Sequence, residues 1–598
     1  MPDDDRSGWD RLPKVNLDSR VVAKRIRKAE NATIRHAHKF VVKRWGSVRD
    51  VQRHVVLWVS AMSILIAVTG LQLMWFQQSY KKLAPTNDGT YAEATLGPVD
   101  TLNPLFSSSS AEQSASRLMF SSILQYDRTG NLSYDLATGI RVSGDNKIYT
   151  VSIRPDVKWH DGKSLTANDI AFTVGLMQNP IVRSTIRGWG DISVKVIDNT
   201  TIEFTLKSTY AAFQHALTFP IVPEHILGKI TPSKILENNF SKNPIGSGPF
   251  KMQFIQKIDT KSSREVVYMT RNEDYYGGIA KLARFQLHAY DSSDEIIDAL
   301  SNNGVNAATD LSITDIEHVD SKKYVISVKP IQSGVYAIIN TKSESLKDVA
   351  LRRALQMATS TKAIRDKLPS GTLALELPFT NGQLTGDVPK VAQYDLTGAK
   401  NILDANGWVL NSRGVREKEG KVLKISVVTM RDGGLERTLE TLAGQWRALG
   451  ISVNTQVVDP TLVSRDVVQS ILQPRNYDVL IYQLNIGADP DVYAYWHSSQ
   501  ASLTGFNLAN YTNPISDDAL SSARTRVESE LRNAKYITFT RQWLADIPAI
   551  GLYQSTAQYI RSVNVKSFDK SNVFVSPYDR YSDVLDWSVG TRWVYKTP

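Results

Sequence analysis

Tyr149–Gln178 reads YTVSIRPDVKWHDGKSLTANDIAFTVGLMQ. Tyr149, Val151 and Ile153 alternate with polar or small residues, the pattern of a strand with one buried face. Trp159-His160-Asp161-Gly162 then makes a turn, in which Gly162 can take a positive φ at little steric cost. Thr166 is placed to cap a helix, and Asp169, three residues on, can face the exposed amides of its first turn. Ile170, Val174 and Met177 give that helix one apolar face, and Pro180 stops it. These thirty residues predict a strand, a turn and a helix. The turn also groups an aromatic, an imidazole and a carboxylate, which makes it a candidate site on composition alone.

The chain has 598 residues, 42% hydrophobic and 22% charged, as expected of ordinary globular domains. It has no cysteine, which excludes disulfides, thiolate metal sites, a cysteine nucleophile and a lipid-modified cysteine anchor. Val55–Phe76 holds 22 residues without a charge, enough to cross a hydrocarbon core about 30 Å thick. Trp58, Trp75 and Phe76 sit near its ends, where aromatic rings favour the interface. The long basic lead and the absence of a small-residue cleavage site favour a retained anchor over a removed signal peptide. We assign 1–53 to a basic tail, 54–77 to a transmembrane helix in contact with lipid, and 78–90 to a linker.

Residues 1–53 carry fourteen Lys/Arg against seven Asp/Glu, so the tail is expected on the cytoplasmic side and the rest outside. That excess accounts for +7 of the net +10. The main body is therefore near neutral, and its charge gives no argument for nucleic-acid binding. Ser19–Arg53 intersperses Val21, Val22, Ile26, Ile34, Phe40 and Val41 among its basic residues. It reads equally as a helix on an anionic leaflet or as a solvated tail.

Beyond the linker, periodicity predicts a strand at Ala92–Leu96 and a helix at Ala111–Leu124. Ile192–Ile197 and Thr201–Leu206 read as a hairpin. Tyr324–Val328 and Val335–Asn340 read as two strands, and Leu346–Leu368 as one long helix. Residues 423–482 then alternate strand Leu423–Thr429, helix Leu435–Leu449, strand Ile451–Val458, helix Leu462–Leu472 and strand Tyr477–Tyr482. That order favours an α/β layer with parallel strands. Pro548–Tyr553 is an apolar strand, and Gln558–Asn564 a further edge.

The run RPDVKWHDGKSLTANDIAFT resembles the signature of the extracellular solute-binding proteins, family 5, which serve peptide and nickel ABC importers. Further matches follow in order: Asp100-Thr-Leu-Asn-Pro104, Ile221-Val-Pro-Glu-His225, Asn243–Lys251 (NPIGSGPFK), Arg271–Gly278 (RNEDYYGG) and Asp489-Pro490-Asp491. Taken as a phosphate loop, Asn243–Lys251 fails, because no Gly-Lys-Ser/Thr ending or helix follows. The resemblance implies an α/β, three-lobed periplasmic-binding-protein-like fold of class II, cluster C type. Lobe I would comprise 91–124, 230–340 and 545–598, lobe II 125–229 and lobe III 341–544. The ligand would lie between lobes I and III, closed in by a hinge motion. The signature turn would then lie away from it.

The resemblance also nominates site residues. Ser108 and Ser109 lie in the loop that faces the cleft in the family, although a serine loop is also a common connector. Tyr482–Trp496 leaves a strand's C-terminal end, where α/β layers bind ligands. In peptide-binding members an aspartate here pairs with the ligand's α-ammonium. In this chain that place falls on Ile486 or, one residue off, Asn485, and an ammonium opposite Ile486 would lack its partner. Gln483 and Asn485 can donate and accept, and Tyr493 and Trp496 can stack, which also suits a neutral or sugar-like ligand. Asp489 reads either as a ligand contact or as a cap of a helix starting at Pro490, and Trp496 as a stacking group or as core.

No hydrolase, zincin, nucleotide-loop or dinucleotide motif is present, the exterior histidines are scattered, and neither cofactor nor metal is expected. The expected function is a non-enzymatic, membrane-anchored substrate-binding subunit. It would capture an oligopeptide or similar small solute and hand it to ABC permease subunits. The alternatives are a sensor or adhesion ectodomain on the same fold, or a hydrolase.

Overall fold

In a computed structural model of the chain, the described residues are 24, 27–28, 31–32, 35, 48–85, 87–258, 264–459, 467–568 and 571–595. Two compact units form, Met1–Ala84 with Trp593–Pro598, and Pro85–Arg592. In the first, a helix runs over Val48–Tyr80, and its Gln52–Trp75 stretch is long and apolar enough to cross a membrane. Its apolar side chains from Val55 to Trp75 are exposed. Most of the basic segment Ser19–Arg53 lies outside the described residues.

The second unit is built on two sheets. Strand β1 (Gly89–Leu96) opens it, followed by helix α1 (Ser110–Met119). Strands β2 (Ala137–Val142) and β3 (Ile148–Ile153), helix α2 (Ala167–Gln178), and strands β4 (Ile192–Asp198) and β5 (Thr201–Leu206) come next. These four strands make an antiparallel sheet of their own, ordered β2-β3-β5-β4. The chain then builds the larger sheet with β6 (Phe250–Lys257), β7 (Glu265–Arg271) and β8 (Leu282–Tyr290). Helix α3 (Ser293–Ser301), β9 (Ala307–Thr309) and β10 (Tyr324–Ile339) follow. Strand β11 (Lys424–Met430), helix α4 (Gly433–Arg447), and strands β12 (Ser452–Val458), β13 (Val479–Asn485) and β14 (Ala549–Ser562) complete it. The large sheet has ten strands in the order β12-β11-β13-β10-β14-β9-β1-β8-β7-β6.

The expected parallel layer is present: β11 pairs parallel with both β12 and β13. Helix α4 crosses between β11 and β12, burying Leu439, Leu442, Ala443 and Trp446 at helical spacing. Asp432 caps it, accepting from the amides of Gly434 and Leu435 at 2.9 Å each.

Strands β10 and β14 are the long central pair, in register from Tyr324 opposite Ser562 to Ile338 opposite Ala549. At one end they pack with Ala94, Ile296 and Leu300, and at the other with the β11–β13 layer. Between Pro330–Thr556 and Gly334–Gln554 the register slips, so residues 331–333 stand opposite Ser555 alone. Gln554 fills the gap by donating to the Ile331 carbonyl at 2.9 Å.

Some expected elements differ. The two strands at 324–340 are one bulged strand, and the strand at 548–553 runs on to Ser562. The long helix at 346–368 is two, Val349–Met357 and Thr361–Arg365. Thr359 breaks it by donating back to the Leu355 carbonyl while accepting from the Trp446 indole at 3.0 Å. Of the helix expected at 462–472, residues 460–466 lie outside the described residues and Val467–Leu472 is a π-helical turn.

The signature turn is a structural joint. Trp159 is buried at 2% exposure, and Gly162 takes φ +89°. Asp161 pairs with His225 at 2.8 Å. His160 Nδ1 accepts from the Gly246 amide at 3.2 Å, so Nε2 carries the proton and donates to the Gly248 carbonyl at 3.0 Å. Burial, and beyond it Lys251, holds this imidazole's pKa down to about 4 against the Gly248 bond. The clamped loop lies against the end of α1, where Gly248 donates to the Met119 carbonyl at 2.8 Å. A Cβ on Gly246 would stand 1.9 Å from that carbonyl oxygen.

Candidate ligand cleft

Two cavities flank the bulge in β10. The larger, about 710 Å³, is walled by Thr309–Ser312 and Pro577 on one side and by Arg431–Glu436 and Pro369 on the other. Its floor is Val335, Gln483, Tyr553 and Ser555–Tyr559, from the middle of the large sheet. The smaller, about 310 Å³, has Arg117, Tyr126, Asn485, Gly487 and Asp579 among its lining residues. Burial pushes the Asp579 carboxyl above its usual range, against the pull of Arg117.

The bulge fixes the end of β13 between them. The Gln332 carbonyl accepts from the amides of Ile486 and Gly487 at 3.0 and 2.9 Å. Ser333 donates to Asn485 Oδ1 at 3.2 Å, and Tyr495 donates to the Asn485 carbonyl at 2.5 Å. Gln483 and Asn485, two residues apart on one strand, therefore serve the larger and the smaller cavity respectively.

The other nominated residues go elsewhere. Ser109 caps α1, and Ser108 donates from its amide to Glu112 at 2.7 Å, so both serve as connectors. Neither Ser108 nor Ser109 lines the two cavities. Ile486 and Trp496 are core residues, at 6% and 1% exposure, and Trp496 packs edge-on against Tyr336 and Trp543. Tyr482 is half-buried against the same cluster. Asp489 neither faces these cavities nor caps a helix. It forms a two-bond ion pair with Arg532, 2.6 Å on each arm. Burial works against the Arg532 charge, but Asp489 overrides it and holds the guanidinium's pKa above its ordinary value. Tyr493 stacks on His497 at 4.1 Å and on the other face meets Arg524 at 4.7 Å. Arg524 also meets the Tyr210 ring at 4.7 Å and pairs with Asp491 at 3.3 Å. This is a cation–π sandwich between the small-sheet region and the Asp489–Trp496 segment.

Sequence reading missed Ser555, Gln558 and the Asp432 turn. The signal was present in Gln554-Ser-Thr-Ala-Gln558, where polar residues interrupt an otherwise apolar strand. Ser555 and Gln558 are among the residues around the larger cavity; Ser555 Oγ and Gln558 Oε1 themselves are buried and have no hydrogen-bond partner among the described residues.

Residues 131–504 match the family described as bacterial extracellular solute-binding proteins, family 5. The oligopeptide-binding protein AppA of Bacillus subtilis is 26% identical over 509 residues, covering 82% of this chain and 91% of AppA. The nickel-binding periplasmic protein of Escherichia coli is 26% identical over 403 residues, covering 62% and 71%. Among solved structures, AppA of Bacillus subtilis with a nonapeptide superposes with a TM-score of 0.70 at 23% identity, over 85% of this chain and 100% of AppA. NikZ of Campylobacter jejuni with Ni(L-His) gives 0.71 at 24% identity, over 83% and 99%. The signature turn, the order of the motifs and the sheet framework thus have one source: the chain belongs to the bacterial extracellular solute-binding proteins of family 5.

Proposed function

We propose that this chain is the substrate-capturing subunit of an ABC importer, held at the membrane by Gln52–Trp75, and that it takes an oligopeptide or similar small solute into the cleft over β10 and β14. The carrying observation is the cavity of about 710 Å³, walled from both ends of the large sheet and floored by Val335, Gln483 and Ser555–Tyr559. Relatives whose names specify oligopeptide or nickel binding support the solute class. In this reading lobe I is 91–124, 230–340 and 545–598, lobe II 125–229, and lobe III 341–544, with Gln483 and Asn485 reaching the solute. Family membership supports an extracytoplasmic position for the unit from Pro85, and the basic tail favours a cytoplasmic N-terminus.

Native mass spectrometry of the full-length chain, purified in mild detergent, tests the reading. A co-purifying set of short peptides is the expected result. A chelated metal or a sugar bound stoichiometrically would overturn the peptide assignment. Protease protection of an N-terminal tag in intact cells tests the topology, and digestion of that tag from outside overturns it.

A further inference from the structure

Two residues lining the smaller cavity are charged at neutral pH, Arg117 from α1 and Asp579 from the segment after β14. Tyr126 and Thr218 meet them from the small-sheet region, and Asn485 and Gly487 from the end of β13. Asp579 is only 6% exposed. Its Oδ2 accepts from the Ser576 amide at 2.7 Å and the Ser576 hydroxyl at 2.9 Å. Its Oδ1 has no hydrogen-bond partner among the described residues. Unlike the sealed Arg580 Nε and Ser582 Oγ close by in sequence, that oxygen keeps accessible surface, and the cavity provides it.

Arg117 does not close the gap. Its guanidinium donates to Gln125 Oε1 at 3.0 Å and makes no ion pair among the described residues. Its charge also acts on Asp135, buried beside a third cavity of about 170 Å³ that Arg117 lines as well. At both carboxyls burial outweighs that attraction and raises the pKa. A buried carboxylate oxygen without a donor is costly, and a charged N–H is the donor that stabilises it most. The other polar groups need the opposite. Arg117 keeps N–H groups that no described residue takes. Asn485 spends its Oδ1 on Ser333 and its carbonyl on Tyr495, which leaves Nδ2 to donate. One small fragment carrying a positive N–H group and an oxygen acceptor satisfies both sides.

We infer that the smaller cavity takes the free N-terminal residue of the solute, its α-ammonium on Asp579 Oδ1 and its first carbonyl oxygen on Asn485 Nδ2 or Arg117. This deepens the oligopeptide reading and rests on it. Gln483, two residues before Asn485 on β13, leads the rest of the solute toward the larger cavity. The ammonium partner missing at Ile486, a core residue, is thereby supplied from a distant part of the chain. A lone cation would leave Arg117 and Asn485 without an acceptor, and a lone carboxylate would lie against Asp579.

Calorimetric titration of the full-length chain in mild detergent tests it, with the alanine pentapeptide offered free, N-acetylated and C-amidated. Acetylation is expected to weaken binding at least about tenfold, and amidation to change it by less than about threefold. Asp579→Asn keeps an oxygen for Ser576 and removes the charge. It should abolish the difference between free and acetylated peptide without lowering Tm, whereas a purely structural role would weaken both alike. Equal binding of free and acetylated peptide by the unaltered chain overturns the inference and leaves the oligopeptide reading standing. A loss on amidation instead of acetylation would put a carboxylate on Arg117 and also overturns it. L-alanine binding as tightly as the pentapeptide overturns the assignment to a peptide terminus. No binding of any of these probes overturns the oligopeptide reading and this inference with it.

Discussion

Trp159–Gly162 and Gln483–Trp496 look alike as sequence. Each follows a strand, and each mixes aromatics with carboxylates. In the structure they part company. The first is largely saturated: His160 spends both ring nitrogens on Gly246 and Gly248 and Asp161 is taken by His225, while the buried Trp159 indole N–H has no partner among the described residues. Most of the second is saturated too, Asp489 by Arg532 and Asp491 by Arg524. Its first part alone reaches the two cavities, through Gln483, Asn485 and Gly487 among the described residues. The lesson is that rich chemistry in a motif does not locate a binding surface when its groups are already spent on protein partners.

The contrast can be broken or sharpened by substitution. Gly246→Ala should have the largest effect. Its Cβ would meet the Met119 carbonyl at 1.9 Å, and backbone cannot yield as a side chain can. A loss of about 5 kcal/mol, or failure to fold, is expected in denaturant unfolding. Arg532→Ala comes next, because it strands Asp489, whose side chain is 11% exposed. A cost of about 3–4 kcal/mol is expected, and a cost below about 1 kcal/mol would show that the ion pair is not the fastening it looks to be.

The third effect is on pH dependence. His160 has a folded pKa of about 4, set first by burial, against an ordinary 6.5. Below pH 6.5 the unfolded chain therefore binds a proton that the native state refuses. Stability should fall as pH drops from about 6.5 to about 4, by at most about 3 kcal/mol from this group. His288, also held down to about 4 by burial and then by Arg264, adds to the same window. A His160→Gln variant should show a shallower slope there in pH-dependent urea melts; an unchanged slope would assign the effect to the other histidines that burial holds down, His215, His288 and His497. Gly487→Ala should be the mildest. Its φ is +80°, but no atom lies within 4 Å of the added Cβ. About 1 kcal/mol is expected from the backbone conformation alone.

Local periodicity made much of this fold legible. The β3–turn–α2 unit, the β4–β5 hairpin and the β11–α4–β12 crossover all follow from spacing and caps. The breaks did not. Nothing in the alternation at 324–339 announces that residues 331–333 face one residue, because a bulge is set by the partner strand. Thr359 looked like an ordinary helix residue until Trp446, far along the chain, was seen to hold it. At the site, the residues nominated near Asp489 divide: Gln483 and Asn485 line the cavities, while Ile486 and Trp496 lie in the core. Alternation around one strand end cannot tell which neighbour has been consumed by an arginine forty-three residues away.

The slipped register between β10 and β14 has a mechanical meaning. Above and below it the two strands are laced by ladder bonds, so the sheet resists bending there. At residues 331–333 the lacing is interrupted, and a fold line is scored across the sheet. Ser555 sits on that line and also faces the cavity. In the proposed reading, a solute seated in that cavity would lie directly beside the crease, with no further element between recognition and the interruption in the sheet.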